Sequence, residues 1–277
     1  MATLGKFNRL RVLEPDADGM VLDGEQLGPL PLRRAEVPAG LEPGHEIEVF
    51  LALDSNDRVY ATTRRPIASV GEFAFLRVVD VATAGAFLDW GMPKDLLLPF
   101  REQIRPPRVG ECELVWIDLD RVSQRLVASA RLKRFVAAQP PPNLRPGAPA
   151  TLLISERTDL GWKVIVDESY WGLLRTTEKV RRGQRIEGFI HHVREDGMVD
   201  LGLEAPGYAR VAGAAEAVLQ RLESSANGFL PFHDKSSPQA IRDGLGMSKK
   251  VFKQAIGSLY KKGRITIEPE GIRKKDA

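Results

Sequence analysis

The sequence predicts a mostly β protein with a C-terminal α+β part: three small five-stranded barrels in tandem, then three helices and a hairpin. Three observations lead there. A unit of short strands and turn residues recurs along the chain, a proline-rich spacer interrupts the series, and apolar periodicity changes from two to about 3.6 after Pro206-Gly207.

The clearest unit is centred on Gly85-Ala86-Phe87-Leu88-Asp89-Trp90-Gly91. Residues 72–81 before it are rich in β-branched and aromatic side chains, and Asp95 to Pro99 after it is a short apolar run, so the three read as consecutive strands. Alternation along a strand puts Phe87 and Asp89 on one face and Leu88 and Trp90 on the other. The unit repeats. Gly44, the strand Glu46 to Leu53, Asp54 and a closing strand through Ala61 to Arg64 match Gly110, the strand Glu111 to Leu119, Asp120 and a closing strand through Ala128 to Arg131. A more diverged copy has the strands Thr151 to Glu156, Trp162 to Val166 and Tyr170 to Leu174, then Gly183, Arg185 to Arg194 and a strand ending at Leu203. Each unit holds about five strands, which suits a closed barrel because closure removes unpaired edges. The OB-fold is a barrel of that size.

Prolines 140, 141, 142 and 146 forbid a strand interior and mark an extended spacer. Beyond Pro206-Gly207, Ala214 to Ser225 predicts a helix with Ala217, Val218 and Leu222 as its apolar stripe. Ser237-Pro238 opens a second helix that closes at Gly244 or Gly246. Ser248 caps a third, Lys249 to Lys262, with Phe252, Ala255, Ile256 and Leu259 inward and Gly263 after its last turn. Arg264 to Glu268 and Ile272 flank a turn at Glu270-Gly271. Three helices and a hairpin outline a winged helix. The expected divisions are 1–65, 66–138, 148–206 and 207–277.

One cysteine, Cys112, excludes an internal disulfide, no Cys/His cluster has metal-ligand spacing, and no apolar run reaches membrane length. The expectation is a cytoplasmic protein without cofactor or membrane partner. Charge is uneven. Residues 233–277 carry eleven basic and five acidic side chains, a net of +6 in a chain whose total is +3. Lys249, Lys250 and Lys253 lie off the apolar stripe of the third helix, where lysines suit phosphate contact, while only Gln254 there suits base-edge reading. In the second unit, Phe87 with Lys94, Arg101 and Arg125 forms a candidate face on which a base stacks while cations meet phosphate. Strand register alone decides which of Phe73, Phe75, Phe87, Trp90 and Phe100 face the core.

No catalytic site assembles. His45, His191, His192 and His233 have no nucleophile in a recognisable elbow, and adjacent His191 and His192 point to opposite faces if they lie in a strand. Acids such as Asp54 and Asp57 sit in turns, where aspartate serves local hydrogen bonding. The chain reads as a non-enzyme.

The second unit resembles the S1 RNA-binding domain in Gly85-Ala86-Phe87, Asp120 and Arg125, with Ala84 and Leu98 where that family has an aromatic and a histidine. Gly85 to Gly91, Lys94-Asp95-Leu96-Leu97, Thr158 to Gly161, Trp171 to Leu174, Asp234 to Pro238 and Ser248 to Gly257 together resemble the conserved virulence factor B family of bacterial proteins. That resemblance implies three S1-type domains, a winged helix, RNA binding and a role in gene expression after transcription, and the leading expectation is a single-stranded RNA partner. DNA, bound by the winged helix, and a ribosome-associated protein, with the chain as scaffold, are the alternative partners.

Overall fold

All three barrels are closed and share one strand order. In the computed structural model, which describes residues 1–225 and 227–275, the first is built from β1 (Phe7–Asp16), β2 (Gly19–Asp23), β3 (Pro29–Arg33), β4 (Glu46–Leu53) and β5 (Val59–Thr62). The second uses β6 (Phe73–Ala82), β7 (Gly85–Asp89), β8 (Leu96–Pro99), β9 (Cys112–Leu119) and β10 (Leu126–Ser129). The third uses β11 (Pro149–Thr158), β12 (Gly161–Val166), β13 (Tyr170–Leu174), β14 (Arg185–Val193) and β15 (Val199–Gly202). In each, the fifth strand lies between the third, to which it is parallel, and the fourth, to which it is antiparallel. This is the OB-type closure.

The repeat extends to the backbone. The first strand of every barrel carries an irregularity at the same place, between Val12 and Glu14, Val78 and Asp80, and Ile154 and Glu156. A bulge there bends the long strand so that its first half pairs with the fourth strand and its second half with the second. The second strand of every barrel begins on a glycine of positive φ: Gly19 at +152°, Gly85 at +144° and Gly161 at +143°. A Cβ at these positions would strike the carbonyl oxygens of Leu32, Leu98 and Leu174 on the third strand. Only glycine lets the hairpin fold back that closely.

By contact, Met1–Ala137 with Arg181–Gly183 form one unit, and Ala138–Val180 with Gln184–Ala277 form another. Inside the first unit the two barrels share a core. Alternation in β4 gives way to five consecutive buried residues, Val49 to Leu53, because both its faces are covered. Val49 and Leu51 join Leu10, Val12, Leu22 and Leu32 inside the first barrel, whereas Phe50 and Ala52 join Leu88, Trp90, Met92 and Leu96 of the second. Phe50 meets Phe7 and Trp90 edge-on, with ring centroids 5.3 and 5.9 Å apart. Backbone bonds from Ile67 N to Trp90 O and from Val70 N to Gly5 O complete the joint.

The second unit holds the third barrel and the helical region. α1 (Gly207–Ser224) begins seven residues before the predicted start, α2 (Pro238–Leu245) ends at Gly246 in the left-handed conformation, and α3 spans Lys249–Lys261. The serines cap as expected: Ser237 Oγ accepts from Ala240 N and Ser248 Oγ from Val251 N. The α1 stripe differs from the prediction. Ala215, Val218, Leu219 and Leu222 are buried and Ala217 is exposed, because docking against α3 turns a face about one residue round from the one the sequence suggests. The hairpin β17 (Ile265–Glu268) and β18 (Gly271–Lys274) is joined by a third strand, β16 (Phe229–Leu230), which the sequence reading did not predict. His191 and His192 are both exposed, since a bulge between Ile190 and His192 breaks the alternation that would send them to opposite faces. No helix among the described residues is long and apolar enough to cross a membrane.

Candidate nucleic-acid interface

Register settles the aromatics of the second barrel. Ala86, Leu88 and Trp90 point inward and are buried, so Phe87 and Asp89 point out, Phe87 half-buried and Asp89 exposed. Phe73 is fully buried, Phe75 partly buried and Phe100 54% exposed. Trp90 Nε1 donates to Lys94 O at 2.7 Å, which fixes the loop that carries Lys94.

Phe87 lines a cleft of about 510 Å³ inside the first unit. Lys94 and Arg125 line it with Phe87 from the second barrel, while Asp57 and Tyr60 come from the first. Asp57 clamps the two cations: Lys94 Nζ donates to Asp57 Oδ1 at 3.0 Å and to Asp54 O at 2.8 Å, and Arg125 pairs with Asp57 Oδ2. Hydrogen bonding from Lys94, then from Arg125, outweighs partial desolvation and holds the Asp57 carboxyl below its ordinary range. Asp54 behaves as a turn residue should, accepting from Asn56 N and Arg58 N. Asp57 does more than the turn requires.

Arg101 and Asp120 are absent from the cleft lining and pair with each other at 2.7 Å. A hydrogen bond from Val122 N, followed by the charge of Arg101, lowers the Asp120 carboxyl. The four residues expected to form one aromatic and basic face are therefore divided, with Phe87, Lys94 and Arg125 together and Arg101 elsewhere. All three cations already have carboxylate partners.

The α3 lysines differ. Lys250 and Lys253 are exposed, Lys249 is partly so, and among the described residues none of them forms an ion pair. A phosphate meeting them displaces only water and counterions. On the outer face of the third barrel, Lys163 Nζ lies 4.1 Å from the centre of the Trp171 ring, a pairing the sequence reading missed. It is legible only once Lys163 is known to stand opposite Leu173, two residues along the same strand face from Trp171. Asp57 and Tyr60 gave no signal either, being about 30 residues or more from their partners in the cleft. Among the described residues no group of three or more His, Cys, Asp or Glu could hold a metal ion.

Comparison with known proteins agrees with this architecture. An S1 domain model matches residues 4–64, and a CvfB-like winged helix domain model matches residues 216–273. A Bacillus subtilis (strain 168) relative, uncharacterized protein YitL, is 31% identical over 269 residues, covering 91% of this chain and 87% of its own. Conserved virulence factor B of Staphylococcus haemolyticus (strain JCSC1435) is 27% identical, covering 96% and 92%, and that of Staphylococcus aureus (strain USA300) is 28% identical, covering 82% and 79%. A solved structure from Streptococcus pneumoniae TIGR4, described as a multidomain protein with nucleic acid binding domains, aligns over 98% of both chains. Its identity is 22% and its TM-score 0.41, too low to carry weight. S1 and winged-helix domains in one chain support nucleic-acid binding, and the families matched are of that kind rather than enzymatic. By sequence along most of its length and by domain content, the chain belongs to the conserved virulence factor B family.

Proposed function

We propose that the protein is a non-catalytic binder of single-stranded RNA that regulates gene expression after transcription. In this reading residues 1–65, 66–138 and 148–206 are S1-type barrels and 207–277 the winged helix. The observation that carries the reading is Phe87, an aromatic turned out of the second barrel into a cleft with two cations. A base inside a duplex is already stacked on both faces, so only an unpaired base can lie on such a ring. Lys94 and Arg125 stand beside it for the phosphates, and Lys249, Lys250 and Lys253 extend the contact with little sequence preference. Arg101 and Asp120 serve by holding the loops around the closing hairpin. RNA rather than DNA follows the family resemblance.

Fluorescence anisotropy with labelled single-stranded RNA, single-stranded DNA and duplex DNA tests the reading. Single-stranded RNA should bind tightest. Phe87→Ala should weaken RNA binding by about 1–3 kcal/mol without loss of fold, and Lys250→Glu with Lys253→Glu should weaken it and flatten its dependence on salt. Equal or tighter binding of duplex DNA would sink the reading.

A further inference from the structure

Gly257 sits inside α3, where glycine is the least favourable residue after proline because it has the most backbone freedom to lose. The fold gives no reason for it. The backbone there is right-handed helix, and a Cβ built on Gly257 meets no atom within 4 Å. The space it leaves is on the outside, since Phe252, Ala255, Ile256 and Leu259 occupy the inner face.

Around that gap stand Lys250, Lys253, Gln254, Tyr260 and Lys261, brought to one face by spacings of three, four and seven residues. All five are exposed. Tyr260 is 58% exposed, an aromatic with much of its ring in water one turn beyond the glycine. Positive charge, an open stretch of helix backbone and an uncovered ring coincide on a single helix face.

We propose that this face of α3 receives the RNA strand, with Gly257 admitting it against the helix backbone and Tyr260 stacking a base. The inference rests on the single-stranded RNA reading and adds two contacts that the cations alone do not predict. A side chain at 257 would hold the strand about one methyl group further out. The lysines on either side would then reach the phosphates less directly.

Gly213 supplies the control. It lies within α1, is exposed, and a Cβ there also meets nothing within 4 Å, but its neighbours on that face include Glu216 and Ala217 rather than lysines. The probe is a fluorescein-labelled U20 oligoribonucleotide, measured by anisotropy with the full chain, beside the melting temperature of each variant. Gly213→Ala and Gly257→Ala should both raise the melting temperature by about 2–4 °C. Only Gly257→Ala should also weaken U20 binding, by roughly tenfold. Tyr260→Ala, at an exposed site, should leave the melting temperature alone and weaken binding roughly 5- to 100-fold. Unchanged U20 affinity in Gly257→Ala, an equal loss in Gly213→Ala, or a melting temperature lowered by Gly257→Ala each overturns the role of Gly257. Unchanged affinity in Tyr260→Ala overturns the stacking. A wild-type chain that binds no U20 instead fails the RNA reading itself, and this inference with it.

Discussion

Asp57 shows how one side chain can be mistaken for a local device. Its backbone is in the left-handed region, at φ +60°, which aspartate tolerates and turns favour. Its carboxylate nevertheless bonds Lys94 and Arg125 of the neighbouring barrel. Since the folded carboxyl is held below its ordinary range, the clamp contributes above the unfolded value and is lost as pH falls through the lower folded value. The ions are solvent-screened, so the contribution to stability is small and the titration is the better readout. Replacing Lys94 with methionine should raise the Asp57 carboxyl midpoint in a carbon-detected NMR titration. An unmoved midpoint would mean that Lys94 does not hold the charge. The same pairing bears on binding, because a phosphate entering the cleft would have to displace Asp57 from both cations, whereas Lys249, Lys250 and Lys253 form no ion pair among the described residues.

Among the elements, the second strand of each barrel depends most on one atom's absence. Gly19, Gly85 and Gly161 combine a positive φ with a carbonyl of the third strand lying where a Cβ would stand. Gly85→Ala should therefore cost about 2–4 kcal/mol in chemical denaturation, strain and collision together. Gly110→Ala makes the comparison clean, since its φ is +89° but a Cβ there meets open space. It should cost only about 1–2 kcal/mol, the strain alone. Similar losses for the two would show that the carbonyl contact is unimportant. Gly85 and Gly110 were visible as landmarks in the sequence, and Gly19 was not. The carbonyl partners were not visible either, because a register sets which carbonyl stands opposite.

Across the first unit, the joint between barrels turns on Trp90. The indole is 3% exposed, packs edge-on against Phe50 and donates to the Lys94 carbonyl. Trp90→Ala should destabilise the unit by about 3–5 kcal/mol. In hydrogen exchange, the amides of β4 should lose protection along with those of β7, because Trp90 covers Phe50 and Ala52 of the first barrel as well as packing in the buried cluster of the second. Protection lost in β7 with β4 unchanged would place Trp90 in the second barrel's core alone.

Residue order alone carried the count of barrels, the three helices, two of them with serine caps, and the concentration of positive charge at the end of the chain. Each of these is written in short-range terms: a period, a spacing, a serine before a helix, a glycine after it. Packing, by contrast, set that Phe87 faces outward, that Arg101 stands apart from it, that Ala217 is exposed and that Asp57 closes on the next barrel. Those outcomes depend on strand register and on which faces of two elements meet. A shift of one residue reverses a strand's faces without altering its composition, and contacts across tens of residues leave no local trace.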